Sequence, residues 1–284
     1  MPKFINILTN ILTEAKRYKF APDVLKRMEE VTEKLWADRD KDYGKRIEVV
    51  DRIPFKLSNG VDGIAKIIVN PRLSYIGQMD VRPKKSLDPA DIIIELNPKY
   101  YESKKNLFLT LYHEMIHASD PTQSQLWSPK YSLTYDEKSD EKYWGHPIEF
   151  FAISNEFLEG LVREFKRRSR GTRKPENKVL LEKSLKNIVN YFAKGEKLSR
   201  LSKDVLFRVN DEHVGDSSFK VLKNLTVDMP QLADLLPQRG GEEPYYLHYV
   251  QLIKKYNPTI WKKFLSMLYT TTFEIKDLIN QNYK

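Results

Sequence analysis

Cysteine is absent from the 284 residues of this chain. That absence removes disulfide scaffolds, thiolate zinc sites, iron–sulfur clusters and thiol nucleophiles from consideration, and it fits a reducing compartment. Long apolar runs are missing too. Nothing approaches the roughly 18 residues of a membrane-spanning helix. The N-terminal MPKFINILTNILTEAKRYKF has an apolar stretch broken by Asn6 and Asn10 and lacks a small-residue cleavage site. With Phe4, Ile7, Leu8, Ile11 and Leu12 at helical spacing, it reads as a packed amphipathic helix rather than a secretory signal. There is no phosphate-cradling glycine pattern, no internal repeat, no zinc finger, no leucine zipper and no RNA-binding aromatic motif.

What is present is an ordinary globular composition, 40% apolar and 31% charged, of a length that suits one large domain or two modest ones. The net charge of +9 is concentrated. Residues 163–200 hold 13 Lys/Arg against 4 Glu and no Asp, an excess equal to that of the whole chain. Residues 101–160 run the other way, with 5 Lys/Arg against 10 Asp/Glu, so they are no electrostatic footprint for nucleic acid. The densest basic stretch, Arg163–Lys174, has two readings. It is a helix end, where cations suit the dipole and Gly171 and Pro175 mark the stop. Alternatively, it contacts a nucleic acid or another acidic partner.

Periodicity predicts a first helix followed by a second over Pro22–Asp38, with Val24, Leu25, Met28, Val31 and Leu35 on one side. Short β-branched segments follow at Arg46–Phe55, Gly63–Asn70 and Asp91–Leu96. Helix returns over Lys104–Ser119 and stops at Asp120-Pro121. Residues 121–145 read as a long loop, with Trp127 and Trp144 flanking a cleft. Pro147 opens a helix to about Arg168, and residues 171–178 form a basic linker. Mainly helical patterns then follow at Val179–Lys194, 199–240 (mixed), Tyr245–Tyr256 and Pro258–Asn280. The expected organisation is a catalytic region over 1–170, the linker 171–178, and a mostly helical region over 179–284.

One motif carries chemistry: His113-Glu114-Met115-Ile116-His117, inside NLFLTLYHEMIHASDP. Histidines four apart on a helix share a face about one turn apart, which lets both imidazoles reach one zinc ion. Glu114, on the neighbouring edge, is placed to act as a base toward a metal-bound water without being a ligand. A catalytic zinc needs a third protein ligand and an open position. The candidates are Asp120, Gln123, His146, Glu149 and Glu156. Gln123 is a poor zinc ligand, and Asp120 suits orienting an imidazole N–H. Glu149, in the first turn of the helix GHPIEFFAISNEFLEG, is the better candidate, with His146 its rival. Outside the metal, His146 is a candidate for holding substrate or the developing oxyanion. His213 and His248 have no ligand spacing.

HEMIH followed by a helix bearing Pro147, Glu149, Phe150, Phe151 and Ala152 resembles the gluzincin type of zinc metallopeptidase. The E-F-F-A element resembles the zincin domain of anthrax lethal factor and Pro-Pro endopeptidases, and the tyrosine-rich stretch before H-P-x-E-F resembles zincin-like proteins encoded by bacteriophages. The resemblance covers about residues 90–165. It implies a zincin-like α+β catalytic domain, a small mixed sheet plus metal-binding helices, with a mostly helical C-terminal region. It implies Zn2+ held by His113, His117 and Glu149, Glu114 as general base, and an upstream tyrosine on the oxyanion. Tyr143 is the nearest match for that tyrosine, with Tyr131 and Tyr135 behind it. An acidic residue four after the third ligand is replaced here by Ile153, a role open to Asp120 or Glu156.

The expected activity is hydrolysis of peptide bonds in a protein or peptide substrate that lies extended beside Asp91–Leu96. The alternatives are a metal-binding component without peptidase activity, for example of a phage particle, and a nucleic-acid-associated protease. The expected location is the cytoplasm or a virion.

Overall fold

The structure is a computed structural model. It describes residues 17–41, 43, 47–57, 60, 62–73, 77–82, 91–101, 103–119, 147–171, 175–210, 254 and 258–283, with the side chains of 78–82, 91, 98, 147–150, 207, 210 and 258–260 outside that description. The expected first helix and the helix over Tyr245–Tyr256 therefore lie outside the described residues, Lys254 excepted. Among the described residues no helix is long and apolar enough to cross a membrane.

The fold is α+β and mostly helical, with one small mixed sheet. The chain divides into two compact units, one spanning Tyr18–Lys138 and the other joining Met1–Arg17 to Ser139–Lys284. This differs from the expected boundary at 171–178. The helix that opens at Pro147 shares its apolar face with the C-terminal helices in one core, so it belongs with them.

The first unit contains α1 (Pro22–Ala37), β1 (Glu48–Lys56), β2 (Asp62–Val69), β3 (Gly77–Arg82), β4 (Asp91–Leu96), a 3-10 turn at Pro98–Tyr100, and α2 (Lys104–Ser119). The sheet order is β1-β2-β4-β3. β1 and β2 pair antiparallel, β2 and β4 parallel, and β3 and β4 antiparallel. Alternation along the strands and the register place Ile53, Phe55, Ala65, Ile67, Val69, Ile92, Ile94 and Leu96 on one face, and all eight are buried. α2 packs against β3 and β4, and α1 packs against α2 and β1.

Both parallel strands end in Asn-Pro, and each asparagine closes a turn. Asn70 donates from its own N–H to the Leu96 carbonyl at 2.9 Å and from Nδ2 to the buried Glu95 carboxylate at 2.8 Å. Asn97 donates from Nδ2 to the Leu73 carbonyl at 2.9 Å, and its Oδ1 accepts from the Lys99 N–H at 3.2 Å. These bonds pin the C-terminal ends of β2 and β4 just before the chain enters α2. Ser103 then caps α2, its Oγ accepting from the Asn106 N–H at 3.1 Å.

β3 was not expected. Its sequence, GQMDVR, lacks the alternation that announces a strand. It forms because β4 offers a full antiparallel partner from Gly77↔Leu96 to Arg82↔Asp91. β4, expected at a cleft, lies inside the sheet between β2 and β3.

The second unit contains α3 (Pro147–Gly171), α4 (Pro175–Lys194), α5 (Arg200–Asn210) and α6 (Pro258–Asn282). Leu158, Leu161, Phe165, Leu185, Ile188, Phe192, Val205, Phe264 and Leu268 form its core. Phe192 meets Phe157 and Phe264 edge to face, with centroids 5.8 and 5.4 Å apart. Gly195, at φ 74°, ends α4 in the left-handed conformation, and its N–H reaches the Tyr191 carbonyl at 2.9 Å.

Candidate metal centre

α2 is an unusual helix for a protein of this charge. Leu107, Phe108, Leu111, Tyr112, Met115 and Ile116 are buried, and so are Glu114 and His117. A helix closed in on most sides keeps polar side chains only where they have partners or a task. His113 is half-buried, whereas His117 is 6% and Glu114 8% exposed.

The two histidines converge. Their Nε2 atoms lie 3.0 Å apart and their rings meet nearly edge to face, with centroids 4.7 Å apart. Spacing four along a helix places the rings in adjacent turns, and the two Nε2 atoms face each other at hydrogen-bonding distance, one ring donating and the other accepting according to tautomer. The donor set fits a zinc ion. Two imidazole nitrogens on one helix face are ligands that zinc takes, and His113 and His117 would hold the ion together with at least one further protein ligand.

Glu114 is held on the stripe of α2 that also carries Thr110, four residues earlier. Tyr101, just after the 3-10 turn, hydrogen-bonds Thr110 and senses the Glu114 charge. Burial, then the Glu114 carboxylate, push the Tyr101 phenol well above its ordinary value, against a smaller opposing effect of the Thr110 bond. Tyr101 therefore stays protonated and neutral beside Glu114. Sequence reasoning missed Tyr101 and Thr110. The one available signal was the i,i+4 relation of Thr110 to Glu114, because the turn that returns Tyr101 to α2 has no motif.

On the other side of α2, Tyr112 donates to the Tyr18 carbonyl at 3.3 Å, and Tyr18 donates to the Lys56 carbonyl at 2.7 Å. Tyr18 also bonds Ser119, in the last turn of α2. α2 is thereby tied to the segment before α1 and to the end of β1.

The remaining expected residues divide into two groups. Asp120, Gln123, Trp127, Tyr131, Tyr135, Tyr143, Trp144, His146, His213 and His248 lie outside the described residues, as does the side chain of Glu149, whose backbone opens α3. Among the described residues no third His, Asp or Glu joins the histidine pair. Glu156 and Ile153 are half-buried on α3, and Ile153 packs against the helical core.

Part of the basic stretch is ion-paired within its own unit. Arg163 donates to Glu159 at 2.7 Å, Arg167 and Arg168 both bond the buried Glu164, and Arg168 reaches Asp204. Lys166 and Arg170 stay exposed. Three of the seven cations in Arg163–Lys174 are thus ion-paired within the unit, and Arg173 and Lys174 lie outside the described residues.

Comparison with family models, with curated proteins and with solved structures gives no match to this chain.

Proposed function

We propose that this chain is a zinc-dependent endopeptidase that hydrolyses peptide bonds, with Glu114 as its general base. The observation that supports this reading best is the pair of convergent Nε2 atoms, 3.0 Å apart, next to a buried glutamate on a buried helix. Two imidazoles and an adjacent carboxylate are the donor and base chemistry of a hydrolytic zinc site. A zinc ion held there would supply a water that is acidic near neutral pH and a positive charge for a carbonyl oxygen.

The protein groups have separable tasks. His113 and His117 bind through Nε2. The Glu114 carboxylate takes the proton of the attacking water and passes it to the departing amine nitrogen. Tyr101, a neutral phenol, adds no second negative charge to that surrounding. The resemblance assigns the third ligand to Glu149 and oxyanion stabilisation to Tyr143, with His146 a further candidate, and this proposal adopts those assignments. It moves the substrate-pairing strand from β4 to β3, because an extended peptide needs an edge and β3 is an edge beside α2. The resemblance to phage-encoded proteins supports, as part of this proposal, a location in the cytoplasm or a virion.

The test combines metal content with cleavage. Mass spectrometry of the undialysed protein is expected to show about one zinc per chain in wild type and in Glu114→Ala, with less in His113→Ala and Glu149→Ala. Wild type is expected to cleave members of a peptide library that Glu114→Ala leaves intact. Absence of zinc from wild type even after adding the metal, or normal cleavage by Glu114→Ala, would sink the proposal. Zinc without cleavage would favour the metal-binding structural component instead.

A further inference from the structure

The β1–β2 hairpin carries an electrostatic conflict on the face opposite its buried one. The register sets Arg52 opposite Lys66, Pro54 opposite Ile64 and Val49 opposite Ile68, so these six residues share that face. Ile64 is 57% and Val49 48% exposed, Arg52 and Pro54 are exposed, Lys66 is half-buried, and Ile68 is buried, so the open part of the face is the stretch around Val49, Arg52, Pro54 and Ile64. Directly opposed residues of a pleated pair sit with Cβ atoms about 4.5–5.5 Å apart, and like charges there repel. Among the described residues neither cation has a carboxylate partner. Asp51 turns to the other face and accepts from Arg27 at 2.8 Å, and Asp62 pairs with Lys56 at 2.9 Å. Other cations of this unit, Lys41 with Glu48 and Lys104 with Glu33, are neutralised locally. Arg72 and Lys99 likewise have no carboxylate partner among the described residues; what marks the opposed pair is its setting, two cations directly across the hairpin and flanked by the exposed Val49, Pro54 and Ile64.

We infer that this face docks an acidic, aliphatic-rich segment of a partner protein. Carboxylates of the segment neutralise Arg52 and Lys66, and its apolar side chains cover Val49, Pro54 and Ile64. The two cations select an anion. The side chains select a peptide over nucleic acid, because single strands bind sheet faces by stacking bases on aromatic rings, and none of the six is aromatic. Docking takes the face rather than the edge. The outer edge of β1 is broken by a bulge between Val49 and Asp51, the Val50 carbonyl accepts from Lys34 Nζ at 3.1 Å, and Pro54 has no N–H to offer.

The test selects short random peptides on the intact protein and measures the recovered sequences by fluorescence anisotropy. Arg52→Glu turns the repulsive pair into an attractive one, so it is expected to melt at or above the wild-type temperature while binding about tenfold more weakly. Loss of binding then cannot be read as loss of folding. Ile64→Ser is expected to weaken binding as well, and Lys183→Glu, on α4, to leave it unchanged. Recovered peptides lacking acidic residues, binding that survives Arg52→Glu, or a lower melting temperature for that variant would each overturn the inference. So would single-stranded DNA that binds the protein and is lost on the same substitutions, which would assign the face to nucleic acid.

Discussion

At the scale of single residues, the candidate centre depends on side chains that polar burial would otherwise penalise. Tyr101 is 7% exposed, and its hydroxyl bonds Thr110 on the stripe that ends at Glu114. Removing that hydroxyl leaves Thr110 short of a partner, a loss of about 1 kcal/mol. Tyr101→Phe is therefore expected to lower the urea midpoint while zinc content stays at the wild-type level, checked by denaturation and metal analysis on one preparation. A fall in zinc instead would mean that Tyr101 sets the posture of α2 and not merely its stability. The histidine pair was legible because a spacing of four on a helix fixes a shared face whatever the tertiary structure. Tyr101 was not legible, because its place depends on a 3-10 turn and two Asn-Pro corners acting together, and no local pattern encodes that.

At the scale of elements, β3 and α2 are matched by one small residue. A Cβ added at Gly77 would come 2.9 Å from Leu96 Cδ2, 3.2 Å from Thr110 Cγ2 and 3.3 Å from the Glu95 carbonyl oxygen. Leucine and threonine tips can shift, but the backbone oxygen cannot move without disturbing the β3–β4 ladder. Gly77→Ala is expected to cost about 1–3 kcal/mol, read as a lower thermal midpoint, and an unchanged midpoint would show that the strand gives way freely. The sequence marked α1, α2 and β4 closely, because each carries its own periodicity or β-branched run. It missed β3, whose strand character comes from the partner it pairs with. It also cut the helical region too late. Gly171 and Pro175 do mark a helix end, but the apolar stripe of α3, from Phe157 to Phe165, packs with α4–α6.

At the scale of the whole molecule, charge organises the helical unit from inside. Arg17 donates to Glu159 at 2.5 Å and to Glu274 at 3.1 Å, and Glu159 also accepts from Arg163. Burial alone would raise the Glu159 carboxyl. The charges of Arg17 and Arg163 and their hydrogen bonds outweigh it and hold the group below its ordinary value of 4.5. A carboxyl depressed in the folded state contributes stability that is present above its unfolded value and lost as pH falls through the folded one. Arg17→Met strands part of that buried charge, a loss of about 3 kcal/mol. The melting-temperature gap between wild type and variant is therefore expected to be full near neutral pH and to narrow in acid. A gap of constant size would assign the loss to packing. The same network shows what a charge count over residues 163–200 leaves out, since Glu159 and Asp204, both outside that stretch, meet Arg163 and Arg168. The strand order bears on how α2 comes to be supported at all. β1 with β2 and β3 with β4 are neighbours along the chain and can zip early, whereas the parallel seam joins partners such as Ala65 and Ile92, about 27 residues apart. Closing that distance costs chain entropy before any contact rewards it. Docking of the two hairpins along β2 and β4, sealed by Asn70 on Leu96 and Glu95, is therefore expected to be the slow step of this unit, so that Asn70→Ala slows refolding measured by stopped flow and an unchanged rate overturns the assignment.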